Sequence, residues 1–288
     1  MRIVRFLACD GRATFGAVVG DEVTSFPNMR DPSLGSFVER MQAHHSGRRS
    51  GSEIDLVVDP LNSLDLLSPI QPRQVIGTGT NYHDHVAEMS ATAPAAPTAN
   101  FTKLPISWSS HGDDIELPVG AFVDYEGEIA VVIARRTYQI AETEVDDHVA
   151  GVCLANDVSA RDVPTTQLLL GKSHPGFCPL GPCLVTPDEV DLDDLSFTVT
   201  VNGDLRQTAT TKAIIHSLRS IVASFARSLP LHAGDVILTG SPAGVGVARR
   251  PPIALRDGDV VEIISPQLGT LRNRFVSCRA NGYNTPSA

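Results

Sequence analysis

Short apolar runs broken by turn residues recur along the chain. In Ile3–Cys9, Thr14–Val19 and Glu22–Phe26, β-branched and aromatic residues are interleaved with polar ones, and Asp10-Gly11 and Gly20-Asp21 separate the runs. This pattern predicts three short strands joined by tight turns. Ser36–His44 reads as a helix, with Gly35 just before it and Ser36 placed as its cap. His45–Ser52 is rich in Ser, Gly and Arg and reads as a surface loop. Leu61–Leu67 then leads through Pro69, Pro72 and Gln74 into a second region.

From residue 74 the strand signals multiply. Val75–Gly77, Ile129–Ala134, Gly151–Ala155, Cys183–Thr186, Phe197–Val201, Asp235–Thr239 and Val260–Ile264 are short, β-rich and bounded by Gly, Pro or Asp. The clearest helix is expected over Ile214–Leu229, where Ile214, Leu218, Ile221, Val222 and Phe225 keep helical spacing. Many strands and few helices predict a β-rich α+β fold, divided into a small N-terminal unit (1–70) and a main domain (71–288). Ser90–Asn100 is rich in Ala, Pro and Thr, has little to bury, and is expected to move.

Composition narrows the function. The 288 residues include 23 Lys and Arg against 33 Asp and Glu, a formal net charge of −10. That balance argues against nucleic acid, which needs a basic face. No apolar run reaches the roughly 18 residues of a membrane span, and Met1–Asp10 lacks the apolar core of a secretory signal. Five scattered cysteines (9, 153, 178, 183 and 278) show no metal-binding spacing, and they suggest reduced thiols in a cytoplasmic protein.

Candidate chemistry concentrates in five segments. In DYEGEIAVVI (124–133), a strand would place Asp124, Glu126 and Glu128 on one face at the mouth of a buried run. Like charges there repel unless a cation compensates them, and a hard divalent ion with oxygen ligands is one answer; an exposed edge is the other. NDVSARD (156–162) follows an apolar run, so Asp157 sits at a strand end as a possible third carboxylate. Arg161 and Asp162 are as readily a mutual pair or a helix cap. In NYHDHVAEM (81–89), His85 and Glu88 share a face on a short helix, and a carboxylate beside an imidazole suits a general base; His83 and Asp84 compete for that role. Gly171-Lys172-Ser173 is no phosphate loop, because Thr166 stands where the first glycine is needed, but Lys172 can reach an anion. Finally, Gly234–Gly246 reads as a strand running into a glycine-rich turn whose N–H groups can bind carboxylate oxygens.

Each signal is weak alone, but their order is specific. NYHDHVAEM, FTKLP (101–105), DYEGEIAVVI, NDVSARD, GKSHPGFCPLGP (171–182), VNGDLRQ (201–207), LHAGDVILTGSPAGVG (231–246), LRDGDVVEI and LGTLRN together resemble the fumarylacetoacetate hydrolase family, over about residues 70–276. The resemblance implies a mixed β-sandwich roll with a small N-terminal α/β domain, a homodimer and a divalent metal: Mg²⁺, with Mn²⁺ or Ca²⁺ as alternatives. By matching positions it implies Glu126, Glu128 and Asp157 as metal ligands, and His85 with Glu88 as a water-activating dyad on a lid. Lys172 matches the active-site lysine. Lys103, Arg161, Thr239, Gly240 and Ser241 are the expected substrate contacts. The chain departs from the family pattern at Leu104, inserted before Pro105, at Pro164, where Gln is usual, and at His174, where an aromatic residue is usual; Gln167 lies one turn later.

The activity implied is metal-dependent hydrolysis of a C–C bond in a β-dicarbonyl 2-oxo acid such as an acylpyruvate, of the kind met in aromatic catabolism. The same centre also supports decarboxylation or keto–enol isomerisation of a 2-oxo diacid. A non-catalytic ligand-binding homologue is the remaining alternative. The implied partner is a small anionic 2-oxo acid, and neither nucleic acid nor membrane is expected.

Overall fold

The structure is a computed structural model that describes residues 1–26, 33–45, 57–89, 91–99 and 101–278. Its elements begin with β1 (Arg2–Leu7), β2 (Ala13–Val19), β3 (Glu22–Ser25), α1 (Leu34–His45), β4 (Val57–Pro60), β5 (Leu66–Leu67) and β6 (Val75–Gly77). There follow α2 (His83–Glu88), β7 (Phe101–Lys103), β8 (Trp108–Ser109), β9 (Asp114–Leu117), β10 (Val123–Asp124), β11 (Gly127–Ile133), β12 (Val149–Asn156) and β13 (Ser159–Ala160). The chain closes with α3 (Leu168–Lys172), β14 (Cys178–Val185), β15 (Ser196–Val201), β16 (Asp204–Thr210), α4 (Leu218–Ser228), β17 (Val236–Leu238), β18 (Val260–Ser265) and β19 (Gly269–Ser277).

One large sheet runs β4-β3-β2-β1-β14-β12-β11-β17-β6-β7, with β5 on β1 and β8 beside β14. A second sheet runs β16-β15-β18-β19-β9, and β10 pairs with β13 as a ribbon. The architecture is the β-rich α+β fold expected from the sequence. Strand β1 pairs with β14 through Arg2↔Val185 and Ile3↔Leu184, so the opening strands extend the main sheet.

All seven residues of β11 are buried. Its two faces feed two cores: Ile129, Val131 and Ile133 join one, and Ala130 and Val132 the other. This is the period-2 alternation of a strand covered on both sides. Each fully buried Val or Ile contributes roughly 1.5–3 kcal/mol, so β11 is a rigid base for what lies at its start.

Two helix boundaries differ from the sequence expectation. Helix α1 begins at Leu34, and Ser33 is its cap, taking the Ser36 N–H at 3.2 Å; Gly35 and Ser36 lie inside the first turn. Helix α4 begins at Leu218 rather than Ile214, because Ile214 is extended and bridges to Tyr82. Ser217 caps α4 by accepting the Ser220 N–H at 3.0 Å. Most of the loop expected over 45–52 lies outside the described residues; His45 ends α1. No helix among the described residues is long and apolar enough to cross a membrane.

Candidate active site

The register of β11 and β12 builds the acidic centre. Gly127 pairs with Asn156, and Asp157 N–H donates to Glu126 O at 2.8 Å, so Glu126 and Asp157 face each other where the ladder ends. Asn156 Oδ1 fixes the Glu126 N–H at 3.0 Å, and Gln207 Oε1 fixes that of Gly127 at 3.0 Å. Gly127 must be glycine, because a Cβ there would lie 2.4 Å from Val199 Cγ2 of the second sheet. Glu128 is held from the other side, its Oε2 accepting the Gly240 N–H at 2.8 Å. Carboxylate oxygens of Glu126, Glu128 and Asp157 lie within 4.8 Å of one another, and all three residues are buried.

Three basic side chains surround this cluster. Lys172 Nζ donates to Glu126 Oε2 at 2.7 Å and to Asp157 Oδ2, and lies 4.5 Å from the centre of the Phe101 ring. Arg161 Nη2 donates to Glu126 Oε1 at 2.5 Å, while its Nε reaches Asp124 Oδ2 at 3.2 Å. Lys103 is buried and spends its three N–H bonds on the carbonyls of Val158, Lys172 and Phe177, at 3.0, 2.8 and 2.7 Å. Its ammonium also lies 2.7 Å from Asp157 Oδ1, an ionic contact without a hydrogen bond, since no N–H is left to point there.

The charges divide two neighbouring acids. Burial opposes ionisation of Glu126, but Arg161, Lys172 and His85 outweigh it and hold its pKa well below the usual carboxylate range. Burial pushes the Glu128 pKa well up, and Asp157 and Glu126 push it further, against the opposing pull of Lys172 and the Gly240 N–H. For Lys172 burial favours loss of the proton, yet Asp157 and Glu126 prevail and raise its pKa.

The dyad comes from α2. His85 Nδ1 lies 3.3 Å from Glu88 Oε2, and the Glu88 carboxylate accepts the Gly244 N–H at 3.0 and 3.1 Å. His83 and Asp84 are exposed, so of the two pairs in NYHDHVAEM only His85 and Glu88 turn inward. Beyond α2, the 91–99 segment touches α4 and the turn before it: His216 Nε2 is 3.0 Å from Pro94 O, and Ser224 Oγ donates to Pro97 O at 3.1 Å.

Several expected roles take a different form. Asp124 does not join the face of Glu126 and Glu128. Its strand, β10, pairs with β13, and its carboxylate accepts the N–H groups of Gly246 (2.7 Å) and Val247 (3.1 Å) and the Arg161 side chain. Arg161 therefore pairs with Asp124 and Glu126, not with Asp162, whose Oδ1 takes the Phe122 N–H. The Thr239 hydroxyl donates to Ile129 O at 2.8 Å, and Ser241 Oγ accepts from Gln207 Nε2 at 2.9 Å. Among the expected substrate contacts, Lys103, Thr239 and Ser241 are thus all engaged within the protein, and Gly240 holds Glu128.

Two residues of the site escaped the sequence reading. Gln207 ties Gly127 to Ser241 and Pro242, and Asn81 clasps Thr239 O and both backbone groups of His216. Both stand inside quoted motifs, VNGDLRQ and NYHDHVAEM, but an amide offers no charge or spacing signal. Its role appears only when the backbone groups it satisfies are located.

The donor set fits a divalent cation. Three buried carboxylates converge, and oxygen ligands suit a hard ion such as Mg²⁺ or Mn²⁺. Among known proteins, the human mitochondrial oxaloacetate tautomerase FAHD2B is 38% identical over 260 residues, covering 86% of this chain and 82% of that protein. A putative HpcE protein from Mycobacterium smegmatis superposes with a TM-score of 0.83 at 34% identity, covering 97% of this chain and 100% of that one. Maleylpyruvate hydrolase from Sphingobium sp. SYK-6, in complex with manganese(II) and pyruvate, superposes with a TM-score of 0.77 at 28% identity over 97% of this chain and 100% of that one. Residues 74–276 match the family described as fumarylacetoacetate (FAA) hydrolase, C-terminal. With that match spanning most of its length, the chain belongs to the fumarylacetoacetate hydrolase family.

Proposed function

We propose that this chain is a divalent-cation-dependent enzyme that interconverts the keto and enol forms of a small 2-oxo diacid of the oxaloacetate type. One observation carries the reading. The glycine-rich turn after β17 holds Glu128 through the Gly240 N–H and Glu88 through the Gly244 N–H, so one loop brings the acidic cluster and the dyad together. The tautomerase name of the human relative supports the choice of substrate class.

Glu126, Glu128 and Asp157 would hold the cation. When bound, it supplies Lewis acidity to the 2-oxo acid oxygens and lowers the cost of negative charge there. The protein supplies the proton chemistry. The Glu88 carboxylate only accepts, so His85 Nδ1 carries the proton toward it and Nε2 keeps its lone pair. Nε2 is then the group that takes or gives a proton at the substrate. In the enol-to-keto direction the C2 hydroxyl loses its proton, C3 gains one, and the C2=C3 pair becomes the new C3–H bond. Lys172 and Arg161 bring positive charge to the substrate's anionic oxygens.

The test is decay of enol oxaloacetate absorbance with Mg²⁺ or Mn²⁺. The wild type should accelerate it, and His85→Ala should not. Equal rates with and without enzyme would remove the assignment.

Hydrolytic C–C cleavage of an acylpyruvate is the second reading. The His85–Glu88 pair favours it, since the same lone pair that moves a substrate proton can deprotonate water. Product identity separates the readings: hydrolysis releases two acids, decarboxylation releases CO₂, and tautomerisation releases neither. The substrate in each case is a small anionic 2-oxo acid, accepted by an acidic protein because Lys172, Arg161 and the cation offset charge locally.

A further inference from the structure

Asp124 is a buried acid that the chemistry above leaves without a task. It is 0% exposed and belongs to neither the carboxylate cluster nor the dyad. The β10–β13 ribbon sets it opposite Ser159, and Arg161, two residues on, is its diagonal neighbour. The Arg161 N–H donates to Phe122 O at 2.9 Å, so the backbone of the arginine is fastened beside the strand that carries Asp124.

The Asp124 carboxylate is fully engaged. Oδ1 accepts the N–H groups of Tyr125 at 2.9 Å and Gly246 at 2.7 Å, and Oδ2 accepts that of Val247 at 3.1 Å. Oδ2 also takes Arg161 Nε at 3.2 Å and Nη2 at 3.1 Å. A carboxylate offers about four lone-pair sites, so none is left for a cation or a substrate. The close approach of the turn demands glycine at 246, where a Cβ would lie 2.6 Å from Asp124 Oδ1 and 2.1 Å from Ile253 O. Three backbone N–H groups thus fix the acid independently of the arginine it holds.

The guanidinium has five N–H donors in a planar fork. Nε spends one on Asp124, and Nη2 spends its two on Asp124 and on Glu126 Oε1, the latter at 2.5 Å. The remaining nitrogen, Nη1, has no acceptor among the described residues, and the side chain is 21% exposed. Nη1 shares a carbon with the nitrogen on Glu126, so its two N–H groups stand beside the acidic cluster. Without Asp124 the fork would be held by Glu126 alone, through one hydrogen bond about which it can turn.

We propose that Asp124 is a positioning residue: it clamps Arg161 so that Nη2 braces Glu126 and Nη1 is aimed at an anionic oxygen of the substrate. This rests on the small anionic 2-oxo acid named above as substrate.

The experiment is calorimetric titration of the purified full chain with oxalate at saturating Mn²⁺. Oxalate is an unreactive dianion that carries the carboxylate of a 2-oxo acid. Asp124→Asn keeps the size of the side chain and removes its charge. Arg161→Lys keeps the charge and removes the fork. Each should weaken oxalate binding about tenfold or more, the worth of one charge-assisted hydrogen bond. The double variant should match the weaker single variant within about twofold, because Asp124 acts through Arg161. Effects that add instead would overturn the proposal, since they mark a separate role in holding the glycine-rich turn. So would oxalate affinity within about twofold of wild type in Asp124→Asn. Arg161→Ala carries the test if Asp124→Asn does not fold. Millimolar guanidinium should restore oxalate binding to it, because Asp124 and Glu126 still frame the vacated place; methylammonium, a cation without the fork, should not. No restoration, or equal restoration by both cations, contradicts the clamp. A wild type that binds no oxalate with Mn²⁺ removes the 2-oxo acid reading and the role of Asp124 together. Oxalate binding with the expected variant pattern, but no turnover of enol oxaloacetate, upholds Asp124 and removes the tautomerase reading alone.

Discussion

The acidic cluster and the dyad are built on opposite principles. Glu126, Glu128 and Asp157 stand at the ends of β11 and β12, strands buried on both faces and hydrogen-bonded to neighbours on both sides. His85 and Glu88 stand on a six-residue helix, too short to be stable alone, whose side-chain tether is the Gly244 N–H on Glu88. On the proposed function, the contrast would separate a permanent half of the site, which concentrates charge, from a half that can detach, which handles protons. A hydrophobic sheet can bear the cost of buried like charges; a short helix can close over a substrate and release it.

The largest effect expected is on the permanent half. Asp157→Asn should abolish Mn²⁺ binding measured by calorimetry and reduce activity by about a thousandfold or more, since removing one acid leaves Lys172 and Lys103 in excess. Next, His85→Ala should lower the proton-transfer rate by about 10²–10⁴-fold while leaving Mn²⁺ affinity near wild type. Equal damage to both readouts would mean the halves are not separable. Third, Glu88→Gln should weaken the Gly244 tether. Hydrogen exchange over residues 83–89 should then speed up without change in β11, whereas exchange rising equally in both would contradict a detachable helix.

A pH effect follows from Glu128. In the metal-free protein its raised pKa means the carboxyl holds a proton above the ordinary carboxylate range. The folded state gains from that proton, and the gain is lost as pH rises through the raised pKa. A cation must displace the proton, so its affinity should fall as pH falls through the same window. Calorimetry in buffers of different ionisation heat should show proton release on Mn²⁺ binding. The smallest effect is outside the site: Ser217→Ala should cost about 1 kcal/mol through the lost cap of α4, with Mn²⁺ affinity unchanged.

The sequence made the strands legible because burial on one or two faces writes itself into local apolar patterns; Val75–Gly77 emerges with the bounds expected. Helix starts were less legible. Ile214 keeps helical spacing with Leu218 but is drawn into a bridge with Tyr82, a contact from far along the chain. At the site, Glu126, Glu128 and Asp157 were readable as acids at strand ends, and their convergence depends on the β11–β12 register. Asp124 fits the same i, i+2 series yet leaves it, because β10 pairs with β13 and the strand is interrupted before Gly127. Lys172 was readable as a cation able to reach an anion, but not that the anions would be Glu126 and Asp157. The tethers through Gly240, Gly244, Asn81 and Gln207 involve backbone groups that no local pattern encodes.

The most direct test joins the two halves in one observation. Oxaloacetate in D₂O with Mn²⁺-loaded enzyme can be followed by mass spectrometry for deuterium at C3 and, in the same sample, for pyruvate and other cleavage products. Wild type should accelerate deuterium entry over the Mn²⁺-only background without added cleavage, and both His85→Ala and Asp157→Asn should fall back to background. Deuterium entry that survives His85→Ala, or cleavage products that rise with enzyme while exchange does not, would contradict a keto–enol enzyme built from a fixed acidic cluster and a closing dyad.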